Sequence, residues 1–100
     1  MTSTFAQRLA FVRWLRDMGR TGHETDAQFA AAMGVGDKWV IKWKHRETAP
    51  EGRTEFDAMS RGLAPMGTTA RWLYDGDGKA PEPRLWARWL ARAHDFGDGG

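Results

Sequence analysis

Two short segments of helical periodicity, Asp26–Met33 and Asp37–Arg46, are separated only by Gly34-Val35-Gly36. No other feature constrains the fold as strongly, because three residues leave room for a tight turn and nothing more. Thr25 is suited to cap the first segment, and Asp26 to sit at the positive end of its dipole. Phe29, Ala30, Ala32 and Met33 supply its apolar side, and the small alanines let another helix come close. Gly34 fits a left-handed C-cap. In the second segment, at about 100° per residue, Val40 and Trp43 point one way. Lys38 and His45 point nearly opposite, Ile41 and Lys42 flank them, and Trp39 lies at the edge between the faces.

The rest of the chain reads as further helices. Thr4 to Met18 carries Phe5, Leu9 and Val12 on one stripe, with Phe11, Leu15 and Met18 beside it, and Ser3 or Thr4 can cap its start. Gly19 and Gly22 frame the turn that follows. A fourth helix is expected over Thr54 to Arg61, with Phe56, Met59 and Leu63 inward and Gly62 and Pro65 ending it. A fifth, short helix runs from beyond Gly67 through Trp72 to Tyr74, and Asp75-Gly76-Asp77-Gly78 is a turn. Lys79 to Pro83 reads as a linker. The last helix, Arg84 to His94, puts Leu85, Trp86, Trp89, Leu90 and Ala93 on one face and Arg84, Arg88 and Arg92 on the other. No segment alternates at period two, so the expected class is all-α. The expected organisation is a domain over 1–78, a linker over 79–83, an amphipathic helix over 84–96 and a frayed tail over 97–100.

Composition narrows the function classes. A chain with 41% hydrophobic and 28% charged residues folds, and the absence of cysteine removes disulfides, thiolate metal sites and a cysteine nucleophile. No apolar run approaches a membrane span, and Arg8 and Arg13 interrupt any signal core, so a cytoplasmic, non-membrane protein is expected. The net charge of +2 is unevenly distributed. Residues 1–50 hold eight Lys/Arg against five Asp/Glu, whereas residues 51–100 hold seven against eight. Lys38, Lys42, Lys44, His45 and Arg46 cluster with no acid between them. Such clustering suits an anionic partner, and equally a solvated helix face.

Two short helices joined by a glycine-containing turn, the second of them basic, describe a helix-turn-helix. The stretch from Phe29 to Trp43, with its Ala30, Gly34, Val35, Val40 and Trp43 and with Pro50 at the matching place beyond, resembles the core of the XRE-type, lambda-repressor-like family. The later Trp72-Leu73-Tyr74-Asp75-Gly76-Asp77-Gly78 resembles the Trp-Leu-Leu-x-Gly-x-Gly ending of phage repressors in that family. The resemblance covers roughly residues 5 to 78. It departs at Glu24-Thr25-Asp26, where the family has Leu-Thr-Gln, at Gly36 in place of a Ser or Thr cap, and at Lys44 in place of Glu.

The resemblance implies a five-helix DNA-binding domain whose base-reading positions fall on Asp37, Lys38, Trp39 and Lys42. Helical geometry independently selects Lys38, Ile41, Lys42 and His45. Lysine can donate to guanine O6 and N7, and Ile41 can pack on a thymine methyl or inside the domain. Asp37 can accept from cytosine or cap its helix, and Trp39 can lean on the sugar–phosphate backbone or tuck under the domain. Lys44, His45 and Arg46 are expected at phosphates, with Thr25 at the N-terminus of the preceding helix. Leu85, Trp86, Trp89 and Leu90 either pack on the core or form a dimer surface, and dimerisation is the assignment made for them. A dimer would read two half-sites about one turn of DNA apart.

Catalytic constellations are missing from the sequence. Ser3 and Ser60 lie in no nucleophile elbow, and His23, His45 and His94 lack ligand spacing. Gly34-Val35-Gly36 follows no strand, and Trp86 stands where the Asp75 loop would need a bidentate Glu to hold calcium. The expectation is therefore no enzyme, no metal, no cofactor and no small-molecule ligand. The family resemblance implies the function of a phage-type or prophage-type repressor in the bacterial nucleoid, binding double-stranded DNA at a palindromic operator through its major groove. The alternative is a protein-interaction module, such as an antitoxin or host-protein inhibitor, built on the same scaffold.

Overall fold

Thr4 and Thr25 start the first two helices by the same device. Each threonine hydroxyl accepts the N–H of the third helical residue, Gln7 or Gln28, at 3.1 Å. Each of those glutamines accepts the threonine's own N–H in return, at 2.9 Å. Two otherwise orphaned donors are satisfied at each helix start. The computed structural model describes residues 3–18, 22–46 and 52–97, without the side chains of 43–46 and 93–97. Over these residues run α1 (Phe5–Asp17), α2 (Asp26–Met33), α3 (Asp37–Arg46) and α4 (Arg53–Leu63). A 3-10 turn (Ala64–Met66), α5 (Ala70–Asp75) and α6 (Pro83–Gly97) follow. No strand occurs among the described residues, so the class is all-α with six helices. Gly19 and Pro50, and the side chains of Trp43 and Ala93, lie outside the described residues.

The core is assembled from one stripe of each helix. Phe5, Leu9, Phe11 and Val12 of α1 meet Phe29 and Met33 of α2, Val40 of α3, Met59 and Leu63 of α4, and Trp72 and Leu73 of α5. Helix α2 packs chiefly on α3 and α4, and α1 on α3 and α5. Two residues expected on inner faces lie outside. Met18 is 53% exposed, because its extended backbone (ψ 128°) has already left the helical wheel of α1. Ala32 is exposed, because it lies about 100° round the helix from the stripe formed by Phe29, Ala30 and Met33.

Gly62 does not end α4, which continues through it to Leu63. A Cβ at position 62 would stand 2.8 Å from Met33 Sδ, 3.0 Å from the Ala32 carbonyl oxygen and 3.0 Å from Met33 Cα. The glycine is the point where α4 meets α2 at backbone distance. Pro65 lies within the 3-10 turn that follows.

Arg8 closes the domain across its sequence. The guanidinium is buried, and its Nε donates to the Leu73 carbonyl at 2.8 Å and its Nη2 to that of Tyr74 at 2.9 Å. Its Nη1 donates to the Ser3 carbonyl and hydroxyl. A cation thus satisfies carbonyls at the C-terminal end of α5, where the helix dipole is negative. Burial lowers the Arg8 pKa from its ordinary value, and the nearby Asp75 opposes that shift. Tyr74 is held edge-on by Phe5 and Phe56 at ring separations of 5.9 and 5.3 Å. Burial raises the pKa of its phenol.

The 79–83 segment is packed onto the domain. Ala80 and Pro81 are buried, and the Thr68 hydroxyl donates to the Lys79 carbonyl at 2.8 Å. Glu82 takes a left-handed turn (φ +46°), after which α6 begins. Trp86 then packs against Phe11 and Trp72, with ring centroids 5.0 and 5.3 Å away. Trp89 packs against Phe11 and Trp14, at 5.7 and 5.4 Å.

Candidate nucleic-acid interface

The turn between α2 and α3 fixes how α3 is presented. Gly34 adopts the left-handed conformation (φ +74°), and the Val35 N–H returns 3.0 Å to the Ala30 carbonyl. This is the six-residue closure of a Schellman motif, with half-buried Val35 as its apolar plug. The first turn of α3 is closed by the Trp39 N–H, which donates to the Gly36 carbonyl at 3.1 Å.

Val40 anchors α3, with no solvent exposure at all. Asp37, Lys38, Ile41 and Lys42 are exposed on the remaining surface, and Ile41 shows 47% of its area to solvent. Ile41 is the apolar member of this exposed face, beside Lys38 on the helical wheel. Trp39 is half-buried and packs against the core. The Lys42 ammonium lies 4.9 Å from the centroid of the Trp39 ring. The side chains of Lys44, His45 and Arg46 lie outside the described residues.

Thr25 is exposed at the N-terminus of α2. Its hydroxyl oxygen is engaged by the Gln28 N–H, which leaves the hydroxyl proton to donate elsewhere. Asp26, beside it, is paired with Arg13, so an acid already stands at the positive end of this helix.

A charged network that the sequence reading missed orients α2. Arg16 donates from Nε and Nη2 to both carboxylate oxygens of Glu24, each at 2.8 Å. The Glu24 side chain is only 3% exposed. Arg13 donates to the Glu24 carbonyl and to Asp26, and the guanidinium carbons of Arg13 and Arg16 lie 5.1 and 5.9 Å from the Phe29 ring centroid. Asp17 accepts the Glu24 N–H at 2.8 Å, and its other oxygen lies 2.9 Å from His23 Nδ1. The hydrogen bond to Glu24 raises the pKa of Arg16. The available signal was opposite charge on either side of a turn: Arg13 and Arg16 before it, Glu24 and Asp26 after it. These groups hold α1 to α2, and through α2 they set the aim of α3.

Of the residues assigned to a dimer surface, Leu85, Trp86 and Trp89 have contacts within their own chain. Trp86 and Trp89 are packed within their own chain, because Phe11, Trp14 and Trp72 offer them a ready aromatic surface. Leu85 is half-buried against the core, and Leu90 is half-exposed on α6. The ring contacts of Trp86 and Trp89 run to α1 and α5.

Among the described residues, no group of three or more His, Asp or Glu side chains is placed to hold a metal ion. No described helix is long and apolar enough to cross a membrane. No protein-family model, curated protein or solved structure matches the chain.

Proposed function

We propose that this chain is a sequence-specific DNA-binding regulator of the lambda-repressor-like type, and that α3 is its recognition helix. The observation that carries the proposal is the division of α3 into an anchor and a presented face. Val40 is fully buried, while Lys38, Ile41 and Lys42 stand in solvent within one turn of one another. A major groove accepts an α-helix, and two lysine donors beside an apolar group suit guanine edges beside a thymine methyl. The left-handed turn at Gly34 and the Arg13/Arg16 network suit a rigid reading head, since base contacts tolerate little misplacement.

The mode of action is occupancy of a palindromic operator by a two-fold dimer, which excludes polymerase. Two copies are needed because one helix reads only a few base pairs. The Trp86–Trp89 pair has ring partners within its own chain.

Selection of bound duplexes from a random pool at about 150 mM salt, where phosphate-only binding is suppressed, tests the proposal. Enrichment of an inverted repeat is expected. Enrichment of a single short site keeps DNA reading and removes the dimer. No enrichment by a folded protein overturns the proposal. Replacing Lys38 or Lys42 by Ala should each weaken specific binding by about 1–3 kcal/mol.

A further inference from the structure

We infer that Trp39 is a positioning residue for Lys42, so that the base under Lys42 is read more strictly than the base under Lys38. The inference rests on α3 being the DNA-reading helix. Lys38 and Lys42 are four residues apart, about 6 Å along the helix axis, or roughly two base-pair steps. They share a face and a chemistry but differ in restraint. The Lys42 ammonium sits 4.9 Å from the Trp39 ring centroid, where the negative face of the indole attracts a cation. The indole is itself fixed, because it is half-buried and packs against the core. Lys38 is exposed, with no hydrogen bond, ion pair or ring contact among the described residues.

The consequence follows from what a lysine is. An ammonium on a flexible stem is a point charge that can reach almost any acceptor. Unrestrained, it prefers guanine O6 and N7 but can also follow thymine O4 or a phosphate, so it discriminates less. Held against a ring, it can meet only the acceptors that lie where the ring holds it, and the paired O6 and N7 of guanine are the strongest such target. Trp39 therefore acts on sequence through Lys42 rather than by touching a base. Its half-buried position suits that task better than the base-reading role expected for it from the family resemblance.

The test compares base preferences, position by position, in duplexes selected by the wild type and by Lys38→Ala, Lys42→Ala, Trp39→Leu and Trp39→Phe. The two lysine variants assign the positions. Trp39→Leu should lower the guanine preference roughly tenfold at the Lys42 position and leave the Lys38 position within about twofold. Trp39→Phe, which keeps a ring face, should restore most of it. An unchanged Trp39→Leu profile, or equal relaxation at both positions, overturns the inference while DNA reading stands. No enrichment by the wild type overturns the DNA reading and the inference with it. Should Trp39→Leu fail to fold, the free wild-type protein still decides the contact. The Lys42 ε-methylene protons should resonate upfield of those of Lys38, shifted by the indole ring current, and coincident signals overturn the inference.

Discussion

Arg16 grips Glu24 through two parallel hydrogen bonds of 2.8 Å, and the carboxylate so held is almost wholly removed from solvent. The pair joins the end of α1 to the start of α2. Removing either partner of such a pair leaves the other charge uncompensated. Glu24→Gln should therefore destabilise the fold by about 2 kcal/mol, the scale of a lost hydrogen bond to a charged group. The double variant Glu24→Leu/Arg16→Met should regain most of that loss, because an apolar pair leaves no charge without a partner. Urea titrations at neutral pH give both numbers. A double variant no more stable than Glu24→Gln would refute the account.

Gly62 makes a second prediction with a definite sign. On an exposed helix, Gly→Ala stabilises by up to about 1 kcal/mol. Here the new methyl would lie 3.0 Å from backbone atoms of Ala32 and Met33, and backbone gives way poorly. Gly62→Ala should be destabilising by about 1–3 kcal/mol, the usual range for overpacking. Thermal melting of the variant decides it, and a raised Tm would show that α2 and α4 can part without cost.

The Asp17 carboxylate links stability to pH. Its pKa lies below the ordinary value, first because it accepts the Glu24 N–H and then because of the hydrogen bond with His23. A carboxyl whose folded pKa is depressed contributes stability that is present above its unfolded pKa of about 4 and is lost as pH falls through the folded value. Asp17→Asn removes that contribution. Stability measured from pH 6 down to pH 3 should fall less steeply in the variant than in the wild type. Parallel curves would exclude Asp17 as a source of acid sensitivity.

Trp86 tests where α6 belongs. Its contacts with Phe11 and Trp72 lie within one chain, so Trp86→Ala should lower unfolding stability by roughly 2–3 kcal/mol. The loss should be the same at micromolar and at hundredfold higher protein concentration. A loss that shrinks as concentration rises would mean that the tryptophan face is shared between copies.

What the sequence made legible follows the range of each signal. Thr25, Gly34 and the spacing of Phe29, Ala30 and Met33 are local, and they delimit α2 to the residue. The 100° rule likewise separates buried Val40 from exposed Lys38, Ile41 and Lys42. The wheel of α6 marks its apolar face but cannot name Phe11, Trp14 and Trp72 as what that face meets. Gly62 reads as a stop signal in one dimension, because only the approach of α2 distinguishes a terminator from a close contact. Arg8 and Glu24 are harder still. A charged residue in an amphipathic segment is ordinarily solvated, and the partners that make burial tolerable lie far along the chain or across a turn. Within the candidate site, the placement of Trp39 at the edge of the wheel left its hold on Lys42 unseen, although the two are three residues apart.

The Arg8 bridge also has a temporal side. It spans 65 residues of sequence, from the first helix to the carbonyl of Leu73. A ribosome delivers the chain from the N-terminus, so Arg8 emerges long before the backbone oxygens that will receive it. Until then α1 carries a cation on the surface it must bury, and closing so long a loop has an entropic cost. Helix α3 has emerged well before α5, yet the Arg8 bridge cannot close until the carbonyls of Leu73 and Tyr74 arrive. Synthesis that stops short of α5 should therefore release a chain that has α3 but no closed domain to hold it.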